Sequence, residues 1–146
     1  LEIVKDRLYN PDKRGAEQRS SAQHGLYEGI LTTIKLIAPI MPHISEEIYH
    51  LYFADIEKKS SIHISEWPKN NDKLINEKIE TVGDALVEVI AQVRKAKSES
   101  KVSLKAPVKE LVLNLDKEEV APFMDDLKAV TNAESVTFGK ETVIRL

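Results

Sequence analysis

The chain has 146 residues, of which 42% are hydrophobic and 31% are charged, and its formal net charge at pH 7 is −3. This composition excludes a disordered chain and predicts one compact domain or two small ones. The absence of cysteine excludes disulfides and thiolate chemistry, and no apolar run is long enough to span a bilayer. We therefore expect a monomeric, cytoplasmic protein without a membrane partner.

Helical periodicity dominates the first half of the chain. Leu1, Val4 and Leu8 recur at helical spacing with no initiating Met before them, which indicates a piece of a longer protein. A basic loop follows. Apolar residues then recur at every third or fourth position from about residue 17 to residue 38, which predicts a long amphipathic helix. Pro39 should end this helix, because proline removes a backbone donor.

The stretch "APIMPHISEEIYH", residues 38–50, allows either a metal site or a turn between two helices. On a helix, His43, Glu46 and His50 would share one stripe. The two histidines stand seven residues apart, roughly 10 Å along a helix, which is too far for one zinc ion to bind both directly. The turn is therefore the favoured interpretation, and a metalloenzyme fragment is the weaker alternative.

The helix after this turn should begin near Ser45, whose hydroxyl can cap free backbone N–H groups, and should end near Phe53. A second feature, the alternating segment of residues 61–68, predicts extended backbone. The residues of this region that we expect to face the core are Ile48, Tyr49, Leu51, Tyr52 and Trp67.

The second half combines a long helix with a change of period. Apolar residues at every third or fourth position predict a helix from Leu74 to about Lys97. Alternating leucines that begin at Leu111 then predict a strand, and Asp116 is a candidate cap for the helix that follows. Two further short strands are predicted to form a hairpin around a turn at Gly139.

These elements predict a mainly α fold. An antiparallel helical bundle, truncated at its N-terminus, is expected over residues 1–106, and a small C-terminal β-α-β-β unit is expected over residues 107–146. A unit of about forty residues is too small to be stable alone, so it should pack against the bundle.

Basic residues carry the clearest functional signal. The sequence lacks Gly-x-Ser-x-Gly and any phosphate-binding glycine loop, so we expect a non-catalytic chain that holds no cofactor and no metal. Basic clusters near the first loop and near the end of the second long helix suit contacts with phosphates and unpaired bases. Ordinary solvated helix ends are the alternative explanation. The candidate RNA-contact residues are Tyr9, Lys13, Arg14, Arg19, Arg94, Lys97 and Lys101.

Several segments carry a family resemblance. In this order and spacing, "LEIVKDRLYN", "LYEGILTTIKLIAPIMPHISEEIY" and "SIHISEWP" resemble the anticodon-binding domain of class I aminoacyl-tRNA synthetases. "VRKAKSESKVSLKAPVKEL" is similar to the segment of that family that leads from the long helix into a C-terminal α/β unit. The resemblance extends from residue 1 to about residue 109, and it is greatest to the valyl group, in an archaeal-type version.

The resemblance implies a module that binds the anticodon stem-loop of a tRNA, which is tRNA-Val in the valyl group. It also implies a separate catalytic domain of the same parent chain, which uses ATP and Mg²⁺ and whose two signatures are not found in this sequence. In this family, residues 38–50 form a turn between helices. The alternatives are the same domain of an isoleucyl or leucyl enzyme, or a helical module that binds another protein.

Overall fold

A computed structural model describes residues 2–146 and shows a mainly helical chain that ends in a small sheet. The helices are α1 Lys5–Tyr9, α2 Pro11–Arg14, α3 Ala16–Ile37, α4 Pro42–Tyr52, α5 Ala54–Glu57, α6 Glu77–Glu99, α7 Lys117–Val120 and α8 Met124–Thr131. The strands are β1 Val108–Leu113, β2 Ala133–Phe138 and β3 Val143–Arg145. The predicted mainly α fold with a C-terminal β-α-β-β unit is confirmed. Leu1, which opens the first predicted repeat, lies outside the described residues.

The chain divides into two compact units. The sheet unit consists of the residues up to Arg14 together with Ile75–Leu146, and the helical unit consists of Gly15–Leu74. Each unit contains one of the two long helices, α3 with 22 residues and α6 with 23. Neither of these, nor any other helix within residues 2–146, is long and apolar enough to cross a membrane. The predicted domain boundary at residue 106 stays a prediction.

The core of the sheet unit joins α6 to the strands. The buried face of α6 packs with β1, in which Val108, Leu111 and Leu113 are all fully buried. The predicted helix and the predicted strand are therefore confirmed, and the small unit packs against α6, one helix of the predicted bundle. Asp116 caps α7 as predicted, because its Oδ1 accepts hydrogen bonds from the backbone N–H groups of Glu118 at 2.8 Å and Glu119 at 3.3 Å.

The sheet has the strand order β2-β1-β3, which shows that the predicted hairpin is wrong. β2 pairs with β1 in parallel after the crossover through α7 and α8, and β3 pairs with the other edge of β1 in the antiparallel sense. The chain turns past the end of β1 at Gly139, whose N–H donates to the carbonyl of Leu113 at 2.9 Å. A Cβ at this position would lie 2.8 Å from Val112 Cγ1. The turn residues predict a hairpin between β2 and β3, but they do not show that each of these strands pairs with a different edge of β1.

The N-terminal part of the chain contains more helix than the sequence predicts. The segment expected as a basic loop includes the short helix α2, which begins at Pro11, and proline is favoured at the first position of a helix. The long helix predicted from residue 17 is confirmed as α3. It begins after Gly15, whose φ of 89° lies in the left-handed region that glycine adopts readily.

In the helical unit, α4 begins earlier than predicted. Pro42 occupies its first turn, so Ser45 lies inside the helix and is fully buried instead of capping it. The buried stripe continues at spacing of four through Tyr49, which confirms that core prediction, to Phe53. Leu51 lies off this stripe, which explains why its predicted core position is wrong.

Like Leu51, the aromatic residues Tyr52 and Trp67 are exposed although the sequence predicts that they lie in the core. Tyr52 lies off the buried stripe of α4 and is 69% exposed. Trp67 is 57% exposed, because the segment before it forms a 3₁₀ turn over Ile62–Ile64 instead of extended backbone, and Ile62 is the residue that enters the core. The helical unit therefore packs around Tyr49, Phe53 and Ile62.

Candidate nucleic-acid interface

A cleft of about 680 Å³ lies in the sheet unit and brings the two predicted basic segments together. One wall comes from α1, and another from the end of α6 and the loop that follows it. The C-terminal end of α8 completes the cleft. Its lining includes the cations Lys5, Arg94 and Lys105, the carboxylates Glu2 and Asp6, the exposed ring of Tyr9 and the buried apolar residues Ile90 and Val93. Cations beside apolar and aromatic surface can contact phosphates and bases at the same time.

Tyr9 is the aromatic residue of this cleft. It ends α1 and is 74% exposed, so the ring is accessible for stacking against a base. The next residue, Asn10, also lines the cleft and donates through Nδ2 to Asp6 Oδ1 at 2.7 Å. The position of Tyr9 therefore supports its predicted role, which stays a prediction.

Arg94 and Lys105 are exposed cations that line the same cleft as Tyr9, although they are distant from Tyr9 in the sequence. Arg94 is exposed and takes part in none of the ion pairs found within residues 2–146, so its donors are available to a ligand. Lys5 pairs with Glu2 at 3.5 Å, but both side chains are more than half exposed, and such pairs contribute little. The cleft thus presents the exposed cations Arg94 and Lys105, with the carboxylates of Glu2 and Asp6 in the same lining.

Arg14 differs from these cations because it belongs to a buried ion network. Its side chain is 7% exposed, and Nη2 lies 2.6 Å from Oδ1 of Asp126, whose side chain is 4% exposed. Arg7 binds the same carboxylate, with Nε at 2.8 Å from Oδ1. This hydrogen bond raises the pKa of the Arg7 guanidinium. The network attaches α1 and α2 to α8 and engages the donors of Arg14 within the protein, while the predicted role of Arg14 in RNA contact stays a prediction.

Lys97 is likewise a structural cation. It is 1% exposed, and its Nζ donates to the carbonyls of Leu104 at 3.1 Å, Ala106 at 2.6 Å and Thr131 at 2.8 Å. All three ammonium donors are therefore used. Burial lowers the pKa of Lys97. Lys97 is among the residues that line the cleft, but its ammonium donors are bound within the protein, and its predicted contact with RNA phosphates stays a prediction.

The other predicted contact residues are exposed but do not line the cleft. Lys13 lies on α2, and Lys101 lies in the loop after α6 with a left-handed φ of 56°. Arg19 lies on α3, in the helical unit. Their roles stay predictions. The sequence interpretation also missed Asn132, which lines the cleft, has a φ of 55° and donates through Nδ2 to the carbonyl of Lys105 at 2.8 Å. Asparagine directly after a helix is the signal that could have found it.

The histidine- and glutamate-rich stretch has a different use in the helical unit. Glu46 Oε2 accepts hydrogen bonds from Ser61 Oγ at 3.0 Å and from the Ile62 N–H at 2.9 Å, and Oε1 lies 3.1 Å from His50 Nε2. Burial alone would raise the pKa of Glu46, but these hydrogen bonds outweigh it and hold the pKa below its ordinary value. The carboxylate attaches the 3₁₀ turn to α4, which favours the interpretation of this stretch as scaffold.

Comparison with known proteins places these features in context. A family model for the anticodon-binding domain of tRNA ligase matches residues 1–113. The valine–tRNA ligase of Methanopyrus kandleri is 33% identical over 146 residues, which is 100% of this chain and 15% of that protein. The valine–tRNA ligase of Rickettsia canadensis is 38% identical over 140 residues, 94% of this chain and 16% of that protein. The chain thus spans about one sixth of the length of the curated relatives it matches.

Proposed function

The chain belongs to the family of anticodon-binding domains of tRNA ligases, and we propose that it binds the anticodon arm of a tRNA. The observation that carries the proposal is the cleft of the sheet unit, where the exposed ring of Tyr9 and the exposed guanidinium of Arg94 line one cavity. In this proposal Tyr9 stacks on an unpaired base of the anticodon loop. Arg94 and Lys105 bind phosphates beside it.

Exposed cations outside the cleft extend the proposed contact surface. Lys13 and Lys101 belong to the sheet unit, and Arg19 belongs to the helical unit. Each is accessible to solvent, as a phosphate contact requires. Arg14 and Lys97 are left out of this surface because their donors are bound within the protein.

We propose tRNA-Val as the RNA partner. Its support is that curated relatives from an archaeon and a bacterium, both similar over nearly the whole chain, carry the name valine–tRNA ligase. In the parent enzyme, a catalytic domain would attach valine with ATP and Mg²⁺ while this module holds the anticodon arm. The chain itself acts in binding, as a monomer in the cytoplasm.

The test is fluorescence anisotropy of a labelled tRNA-Val transcript titrated with the chain at two salt concentrations. Matched transcripts are tRNA-Val with a substituted anticodon, tRNA-Leu and tRNA-Ile. We expect binding that weakens as salt rises, because phosphate contacts release counterions, and that weakens again when the anticodon is substituted. Equal affinity for all four transcripts would contradict anticodon recognition. Absence of binding at low salt would favour the alternative of a protein-interaction module.

A further inference from the structure

The loop between α6 and β1, residues 100–107, is an ordered structure that carries two exposed lysines. The Val102 N–H donates to the carbonyl of Lys97 at 3.0 Å, and the Ala106 N–H donates to the carbonyl of Ser103 at 2.8 Å. Lys101 has a φ of 56°, a conformation that residues other than glycine rarely adopt. The N–H groups of Lys101 and Val102 bond to the carbonyls of Ser98 and Lys97, which closes the end of α6 through the backbone alone. The second part of the loop, residues 103–107, depends more on side-chain donors.

The carbonyl of Lys105 accepts from Asn132 Nδ2 at 2.8 Å, and further support comes from the ammonium group of Lys97. It contacts the loop at two carbonyls, those of Leu104 and Ala106, and joins them to the carbonyl of Thr131 at the end of α8. Three tetrahedral donors thus meet three acceptors that the secondary structure leaves without partners. Within residues 2–146, no carboxylate lies at ion-pair distance from Lys97, so backbone dipoles alone solvate its charge.

We propose that Lys97 is a positioning residue for RNA binding, which fixes the loop of residues 100–107 so that Lys101 and Lys105 meet the phosphate backbone. The inference rests on the proposed function of tRNA binding. Its physical basis is preorganisation: a loop held in one conformation before binding loses less conformational entropy when its lysines are immobilised on a ligand. Because Lys97 is 1% exposed and all its ammonium donors are used, the role proposed for it is positioning and not direct contact.

The variants Lys97→Met and Lys95→Met together distinguish the loss of the loop-positioning hydrogen bonds from the loss of one positive charge. Methionine has a similar volume but no donor, so it leaves the three carbonyls without a partner. The matched control is Lys95→Met, which removes the same charge from an exposed position two residues away on α6. We expect faster amide hydrogen exchange at Val102 and Ala106 in Lys97→Met and unchanged exchange in Lys95→Met. Unchanged exchange in both variants would overturn the inference.

A double-mutant cycle on tRNA affinity tests whether the loop acts in binding. Loss of two single-strand phosphate contacts lowers the slope of log K against log salt by about 1.4. We expect this loss in Lys97→Met, and also in the double variant Lys101→Ala with Lys105→Ala. Combining all three substitutions should cause no further loss, because the same two contacts are removed. An unchanged slope in Lys97→Met, or fully additive losses, would overturn the inference.

A measurement on the unsubstituted chain covers the case in which Lys97→Met does not fold. Ammonium protons of Lys97 that are bound to three buried carbonyls should exchange slowly in lysine-selective NMR, whereas those of Lys95 should exchange fast. Fast exchange at Lys97 would overturn the inference. Absence of tRNA binding by the unsubstituted chain would instead overturn the proposed function, and with it the role of the loop in RNA binding. Intact binding with unchanged loop exchange would overturn only the role of Lys97.

Discussion

Glu46 on α4 of the helical unit and Lys97 on α6 of the sheet unit each hold a neighbouring segment against their own helix. The two side chains carry opposite charges. Glu46 accepts from a hydroxyl and a backbone N–H of the 3₁₀ turn, whereas Lys97 donates to carbonyls of the loop after α6. The depth of burial also differs. The Glu46 side chain is 29% exposed, whereas Lys97 is 1% exposed.

This difference shows where function can lie in each unit. In the histidine- and glutamate-rich stretch, residues 38–50, the Glu46 carboxylate is bound by Ser61 and Ile62 of its own unit. In the sheet unit the buried cations are occupied in the same way, but Arg94 and Lys105 remain exposed at the cleft. The groups left over after the fold has satisfied its own polar atoms are the ones that we propose bind RNA.

The largest expected loss of stability comes from Asp126→Asn, which disrupts the buried ion pairs of Asp126 with Arg7 and Arg14. The substitution leaves the guanidinium groups of Arg7 and Arg14 without their shared carboxylate, and removal of one partner from a buried ion pair costs about 3–5 kcal/mol. Unfolding in urea measures the loss. The matched control is Asp125→Asn, because the Asp125 side chain is 79% exposed and lies 3.8 Å from Arg14. Equal losses in the two variants would contradict the structural role of the buried network.

A smaller loss is expected in the helical unit from Glu46→Gln. The amide keeps one acceptor oxygen but loses the charge that strengthens the hydrogen bonds from Ser61 and Ile62, which contributes about 1 kcal/mol. The neighbouring variant Glu47→Gln changes an exposed carboxylate and should leave the free energy of unfolding nearly constant. A Glu46→Gln loss as large as that of Asp126→Asn would remove the contrast between the two units.

The contribution of Glu46 to stability should depend on pH, and this effect should be smaller than that of either substitution. The pKa of Glu46 lies below its ordinary value of 4.5, because its hydrogen bonds favour the ionised form in the folded chain. The stabilisation is therefore fully present above the ordinary pKa and is lost as the pH falls through the folded pKa. The difference in Tm between the unsubstituted chain and Glu46→Gln should shrink from about pH 6 to about pH 3. A constant difference would show that Glu46 does not gain stability from ionisation.

The sequence predicts the helices and strands better than it predicts which charged side chains are buried and which are exposed. Apolar periodicity identifies α3 and α6 because each buries apolar residues on one face, more of them on α6 than on α3. In "VRKAKSES", however, the pattern gives no reason to separate Lys97 from Arg94. Lys97 is buried only because Thr131 and the loop after α6 meet it in the folded chain, which depends on contacts between distant segments. The cleft joins Tyr9 to Arg94 through the same long-range folding.

The most direct test of the central claim compares Arg94→Gln with Lys95→Gln in anisotropy titrations of labelled tRNA-Val at two salt concentrations. The two residues are adjacent exposed cations on α6, but only Arg94 lines the cleft. We predict that Arg94→Gln weakens binding and lowers the salt slope by about 0.7, as loss of one single-strand phosphate contact requires, while Lys95→Gln changes neither. Equal effects of the two substitutions would contradict the claim, because they would show that general positive charge on the helix, and not the cleft, attracts the RNA.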